Sequence, residues 1–270
     1  MYPQKIFLGL TLYDILISAG IIVCFFVFGH LADKRGLRGR LQNFALICGI
    51  FAITLGFGSA ILFQAIYNIP LSGRFEIVQN TGATFYGGLI GGVVTFLLLY
   101  FTVGHFVFKK TDSPKYHTEN FFSFASCAVP SIVVAHAFGR LGCLAAGCCH
   151  GALTDAWYGI LMYGDKGYEK YVPVQLFESL FLFALFACLF VSARKKGRYS
   201  LSIYMAAYGT WRFFAEFLRD DYRGSVGLSV TPSQLIALLM IAGSVGVFWL
   251  ERLLSDRKMT KTDEKQTKNT

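Results

Sequence analysis

The chain has 270 residues, of which 54% are apolar and only 15% charged, and its formal net charge is +9. A soluble domain carries about 25% charged residues, so this composition, with a mean hydropathy of +0.51, excludes a water-soluble globular fold and points to a single polytopic membrane domain. The basic surplus does not point to nucleic acid, because it gathers in short segments between apolar runs, where Lys and Arg orient a membrane protein and meet anionic headgroups.

A helix needs about 20 mostly apolar residues to cross a bilayer. Seven runs qualify, at 12–30, 42–67, 84–108, 119–139, 173–193, 199–218 and 232–253. The first has one lysine before it and no small-residue cleavage site after it, so it reads as a retained anchor rather than a signal peptide. Pro173 and Pro232 stand at helix starts, where a missing N–H costs nothing. The connections after the first, third and fifth runs, and the tail after the seventh, hold seventeen of the 25 Lys and Arg. The bias has the same sign at every connection, which places the N-terminus outside and the C-terminus in the cytoplasm. The expected fold is therefore an all-α membrane protein of about seven transmembrane helices, with residues 1–254 as one membrane domain. Residues 255–270 read as a polar, disordered cytoplasmic tail. The longest outer connection, about 141–172, is rich in Gly, Tyr and Cys and is a candidate cap near the outer leaflet.

Ionisable groups inside a bilayer cost roughly 2.5–3.5 kcal/mol each on insertion scales, so they mark either pairs or function. The first such cluster runs from His136 through Gly139, Arg140, Gly142 and Cys143 to Cys148, Cys149, His150 and Gly151. Its glycines allow backbone to approach a ligand closely. The second is Gln175, Glu178 and Ser179, spaced to share one helical face. The third is Tyr208, Arg212, Glu216 and Arg219, the last three at i, i+4 and i+7 on one expected stripe. Two arginines against one glutamate leave surplus positive charge, and arginine is the side chain that matches phosphate with a fork. A further segment, Tyr86-Gly87-Gly88-Leu89-Ile90-Gly91-Gly92, opens the third run from the outside. Its glycines also suit ordinary close packing of membrane helices.

Four of the seven cysteines, Cys24, Cys48, Cys127 and Cys188, lie in apolar runs and read as small hydrophobes. Cys143, Cys148 and Cys149 cluster with His150. Their C-x4-C-C-H spacing fits no common zinc pattern, so no metal is assigned and no cofactor is expected. Pocket lining, a reactive thiol, a disulfide and a metal site remain open for them.

On these residues the chain resembles the prolipoprotein diacylglyceryl transferases. The family pattern G-R-[IL]-G-N-F-x-N-x-E-x-x-G is matched by Gly139-Arg140-Leu141-Gly142-Cys143-Leu144-Ala145-Ala146-Gly147-Cys148-Cys149-His150-Gly151. H-G-G-L-I-G is matched by Tyr86-Gly87-Gly88-Leu89-Ile90-Gly91, and H-P-x-Q-L-Y-E by Val172-Pro173-Val174-Gln175-Leu176-Phe177-Glu178. Y-G-x-x-R-F-x-x-E-x-x-R is matched from Tyr208 to Arg219, with Arg212 and Glu216 in place.

The resemblance implies a transferase in a bacterial cytoplasmic (inner) membrane with its active site on the outer side. Its donor would be phosphatidylglycerol or a similar anionic phospholipid, and its acceptor the lipobox cysteine of a secreted prolipoprotein. Arg140 and Arg212 would then hold the phosphate and Glu216 would orient Arg212. Gly87, Gly88, Gly142, Cys143, Cys148, Gly151, Gln175, Glu178, Tyr208 and Arg219 would line the substrate site. The departures fall on the acceptor side. Tyr86 stands where the family has histidine, Cys143 and Ala146 where it has asparagine, and Cys148 where it has glutamate. A tyrosine of pKa about 10 is a poor thiol base. Two rival readings are a non-catalytic phospholipid-binding or transport protein and a thiol-redox membrane protein. The first lacks the paired repeats and broken helices of transporters, and the second predicts tolerance of Arg212→Ala.

Overall fold

The computed structural model describes residues 9–72, 85–111, 114–164, 167–219 and 231–267. Its helices are α1 (Leu12–Lys34), α2 (Gly39–Ser72), α3 (Phe85–Leu98), α4 (Gly104–Lys109), α5 (Tyr116–Glu119), α6 (Phe121–Ala146), α7 (Val174–Arg194), α8 (Ser200–Ala215) and α9 (Pro232–Thr267). A single π-helical turn, Leu99–Val103, joins α3 to α4. The strands β1 (Ile160–Gly164) and β2 (Gly167–Tyr171) form an antiparallel hairpin, with Ile160 opposite Tyr171 and Met162 opposite Glu169.

The chain is an all-α membrane protein. Six helical segments among the described residues are long and apolar enough to cross a bilayer: Leu12–Lys34, Gly39–Ile66, Gly87–Lys109, Phe121–Ala146, Val174–Arg194 and Pro232–Leu254. The seventh expected span is present as α8, but its 16 residues reach only about 24 Å at 1.5 Å per residue. Its apolar stretch is cut by Arg212 and Glu216. The chain gathers into two compact units, residues 36–121 and the remainder. The α9 helix continues to Thr267, through a segment rich in the helix formers Lys, Glu and Gln.

Local signals explain the helix ends. Thr11 and Asp14 close a capping box at α1: the Thr11 N–H donates to Asp14 Oδ2 at 2.9 Å and the Asp14 N–H to Thr11 Oγ1 at 3.3 Å. Thr231 and Gln234 do the same for α9, at 3.0 and 3.2 Å. The α6 helix runs past Arg140, which the sequence places at its end, because Leu144, Ala145 and Ala146 favour helix. Gly147, at φ +74°, stops it. The Cys148 N–H donates to the Cys143 carbonyl and the Gly147 N–H to the Leu144 carbonyl, each at 3.1 Å, a Schellman termination.

In the 36–121 unit, α2 and α3 pack through glycine. A Cβ on Gly87 would lie 2.6 Å from Phe63 Cβ, and one on Gly56 2.9 Å from the Gly88 carbonyl. The Ser59 hydroxyl donates to the Gly87 carbonyl at 2.9 Å. These glycines let two backbones approach, the usual substitute for hydrophobic driving force between helices in lipid. Buried Tyr100 centres the same unit, packed by Phe44, Phe96 and Phe121 and donating to the His117 carbonyl at 2.9 Å.

In the other unit, α6, α7 and α8 enclose an apolar layer of Val133, Ala137, Leu182, Leu185, Leu189 and Tyr208. The Ser179 hydroxyl of α7 donates to the Ala137 carbonyl of α6 at 3.0 Å. The α8 helix meets α9 closely at Gly209, where a Cβ would lie 3.0 Å from the Ala237 carbonyl. Ser202 donates to Glu251 Oε2 at 2.7 Å between the same two helices.

Candidate active site

The polar residues singled out on α6, α7 and α8 converge on Glu178. This carboxylate is 1% exposed, so it needs a counter-charge. Its Oε1 accepts a hydrogen bond from the Tyr208 hydroxyl at 2.9 Å and lies 3.0 Å from Arg140 Nε and 3.7 Å from His136 Nε2. His136 and Arg140 are one turn apart on α6, and Tyr208 and Arg212 one turn apart on α8. Three helices thus contribute one side or another of a single buried polar centre.

Arg212 pairs with Glu216, Nη2 to Oε2 at 2.9 Å, with both side chains almost fully enclosed. The Thr231 hydroxyl holds the other carboxylate oxygen of Glu216 at 3.0 Å. The Arg212 Nη1 is buried and has no hydrogen-bond partner among the described residues. An orphaned guanidinium nitrogen in an enclosed site is costly unless an anion completes it. Arg140 is set against Glu178 and Arg212 against Glu216, and the guanidinium fork is the group that matches a phosphodiester.

The stripe expected through Arg212, Glu216 and Arg219 holds only for the first two. The α-helix ends at Ala215 and becomes a 3-10 turn over Glu216–Leu218, and Arg219 is extended at φ −113°, ψ 146°. Arg219 Nη1 instead donates to the Cys149 carbonyl at 3.0 Å. Gln175, 1% exposed, donates to the Cys148 carbonyl at 2.9 Å, while its Oε1 is buried without a partner. The two side chains pin the 141–172 connection by adjacent carbonyls.

Gly151 is a packing position. A Cβ there would sit 2.4 Å from the Leu218 carbonyl and 2.7 Å from Val174 Cγ2. Its own N–H donates to the Val172 carbonyl at 2.8 Å, and the next N–H, of Ala152, donates to Leu218 at 2.9 Å. This knits the 141–172 connection to the start of α7 and the end of α8. Gly142 likewise meets the Tyr13 ring, at 3.1 Å from a built Cβ.

Cys143, Cys148 and Cys149 come together, with all three sulfurs within 4.8 Å of one another. None is in a disulfide. Cys149 holds a left-handed backbone at φ +62°. A hydrogen bond from Cys143, opposed by partial burial and helped by the Arg140 charge, holds the Cys149 thiol well below its usual range. Desolvation pushes the Cys148 thiol up. His150 stands apart from the trio: its Nδ1 faces the Gly151 carbonyl at 3.0 Å and its ring packs on Tyr171.

Gly87 and Gly88 belong to the 36–121 unit and face α2 as described. The Tyr86 side chain lies outside the described residues. Sequence reasoning missed two contributors. His136 was within the first cluster without a role, although its i, i+4 spacing to Arg140 is legible. Thr231 was not singled out, and nothing local in the sequence links it to Glu216.

Comparison with known proteins decides the family. The family model described as prolipoprotein diacylglyceryl transferase matches residues 4–250. The chain belongs to the prolipoprotein diacylglyceryl transferase family. It is 32% identical over 249 residues to phosphatidylglycerol–prolipoprotein diacylglyceryl transferase 2 of Clostridium perfringens, covering 89% of this chain and 91% of that protein. The enzyme of Clostridium tetani is also 32% identical, covering 89% and 92%. That of Dehalococcoides mccartyi is 27% identical over 268 residues, covering 93% and 92%. Membership in this family agrees with the long matches around Arg140, Gln175 and Arg212.

Proposed function

We propose that this protein is a membrane transferase that moves the diacylglyceryl group of phosphatidylglycerol to the cysteine thiol of secreted prolipoproteins; its relatives are named phosphatidylglycerol–prolipoprotein diacylglyceryl transferases. The thiol sulfur forms a bond to the glycerol carbon, the carbon–oxygen bond to phosphate breaks, and glycerol phosphate leaves with the electron pair. Arg212 and Arg140 stabilise the charge on the phosphate, and Glu216, held by Thr231, orients Arg212. Such preorganised donors in a water-poor site stabilise a departing anion without reorganisation at the moment of reaction.

The observation that carries this reading is the Arg212 Nη1, buried and without a hydrogen-bond partner among the described residues, on a guanidinium whose other arm is held by Glu216. An open apolar groove of about 740 Å³ lies on α7 and α8, lined by Phe181, Ile203, Ala207, Trp211 and Phe214, and suits an acyl chain. Placement in the bacterial cytoplasmic membrane, with the site on the outer side, rests on the Lys and Arg bias of the connections.

The test is turnover in phosphatidylglycerol vesicles by Arg212→Ala and Arg212→Lys protein. Both insert normally, Arg212→Ala is inactive, and Arg212→Lys recovers little because an ammonium lacks the fork. Near-normal turnover by Arg212→Ala would refute the phosphate assignment. A thiol-redox protein would give that result.

A further inference from the structure

Two of the departures from the family pattern fall together in space. Cys143 and Cys148 replace its asparagine and glutamate, and Cys149 adds a third sulfur, all within 4.8 Å of one another. We propose that Cys143, Cys148 and Cys149 form a three-thiolate site for a zinc-like divalent cation, whose open fourth position binds the acceptor thiol. The thiol-binding half of this proposal rests on the transferase reading above; the metal-binding half does not.

Geometry supports a shared ion. Zinc–sulfur bonds are about 2.3 Å and tetrahedral sites place their sulfurs about 3.8 Å apart. The trio therefore needs less than about 1 Å of side-chain adjustment to close on a metal. The frame that holds it is tied at each member. The Schellman bond joins the Cys148 N–H to the Cys143 carbonyl at 3.1 Å, Gln175 holds the Cys148 carbonyl at 2.9 Å, and Arg219 holds the Cys149 carbonyl at 3.0 Å. Outer-sphere hydrogen bonds of this kind orient first-sphere ligands.

Three protein ligands and one open position is the coordination of catalytic rather than structural zinc. Cys148 and Cys149 are exposed and Cys143 half-buried, so the open position faces outward. Three thiolates and a divalent ion carry one net negative charge. Arg219, bonded to the Cys149 carbonyl, offsets it. Chemistry supplies the role. A metal-bound thiol loses its proton to water at neutral pH yet keeps a nucleophilic sulfur, which is what an S-alkylation needs. The site therefore replaces the thiol base that Tyr86 provides poorly. No electron acceptor is required, since the proton goes to water and the electron pair of the broken carbon–oxygen bond leaves with glycerol phosphate.

The experiment uses the full chain, reduced and metal-stripped in detergent, titrated with cobalt(II) as a coloured probe. One cobalt binds per chain with thiolate-to-cobalt charge-transfer absorption. Cys143→Ser, Cys148→Ser and Cys149→Ser each weaken binding by at least about tenfold, the low end of what losing an outer-sphere partner alone costs. The triple variant abolishes it, and Cys188→Ser leaves it unchanged. A lipobox peptide then intensifies the charge-transfer band, and the same peptide with serine in place of cysteine does not. Cobalt uptake by the wild-type chain no greater than by the triple variant overturns the metal site. Cysteine-dependent cobalt binding with a spectrum indifferent to the peptide thiol overturns the acceptor assignment. Neither result depends on turnover, so failure of the transferase reading is seen separately in the vesicle assay.

Discussion

Glu178→Gln isolates the buried charge at the centre of the site. Glutamine keeps the size of the side chain and an oxygen that accepts from the Tyr208 hydroxyl, so the hydrogen bond at 2.9 Å survives. What disappears is the negative charge 3.0 Å from Arg140 Nε, with the carboxylate only 1% exposed and the Arg140 side chain 17% exposed. Removing one partner of such a pair leaves an uncompensated charge and costs about 3–5 kcal/mol. The assay is denaturant-induced unfolding in mixed micelles, followed by the intrinsic fluorescence of the protein's tryptophans. Arg140→Met alone strands Glu178 in the same way. The double variant Arg140→Met/Glu178→Gln strands neither charge, so its loss is smaller than the sum of the single losses by about 2 kcal/mol. A Glu178→Gln loss under about 1 kcal/mol, or strict additivity in the double variant, would refute the view that these two groups neutralise each other in the fold.

Other perturbations test the remaining supports. Gly151→Ala places a methyl 2.4 Å from the Leu218 carbonyl and destabilises by about 1–3 kcal/mol, read as a lower melting temperature, while Gly36→Ala, with open space around it, leaves packing untouched and carries only backbone strain. Tyr208→Phe removes a hydrogen bond to a buried carboxylate and costs about 1.5–3 kcal/mol in the same unfolding assay. Thr231→Val removes both the α9 cap and the Glu216 contact, at about 1–2 kcal/mol of stability, and also lowers turnover because Arg212 is less well held. Arg212→Lys lowers turnover about a hundredfold with little change in insertion.

Much of the fold was legible because apolar length is a strong signal in a bilayer. Six spans sit where hydropathy puts them, and the Pro173 and Pro232 signals mark true helix starts. The C-terminal ends were harder. Arg140 stands a turn and more inside α6 because the Leu-Ala-Ala run after it carries no stop until Gly147. Arg219 left its stripe because the change to a 3-10 turn at Glu216 comes from tertiary bonds, those of Leu218 to Ala152 and of Thr231 to Glu216, which spacing alone does not contain.

The site was half legible for the same reason. Glu178, Arg140, Tyr208, Arg212 and Glu216 were picked out as ionisable or polar groups that a membrane helix does not hold without cause, and the fold brings them together on three helices. The cysteines were seen in sequence, but C-x4-C-C gives no zinc spacing. Only the reversal of the chain at Gly147, with Cys149 left-handed behind it, brings the three sulfurs together. Gly151 looked like space for a ligand and is instead a point where backbone meets backbone.

The most direct test of the central claim follows both products of one reaction. Purified protein in phosphatidylglycerol vesicles, labelled in the lipid glycerol, is given a lipobox peptide, and peptide mass and released glycerol phosphate are measured together. The account predicts a peptide heavier by one diacylglyceryl group on its cysteine and one glycerol phosphate for each peptide modified. Glycerol phosphate released with the peptide unchanged, or neither product under conditions where the Clostridium perfringens relative turns over, would contradict it.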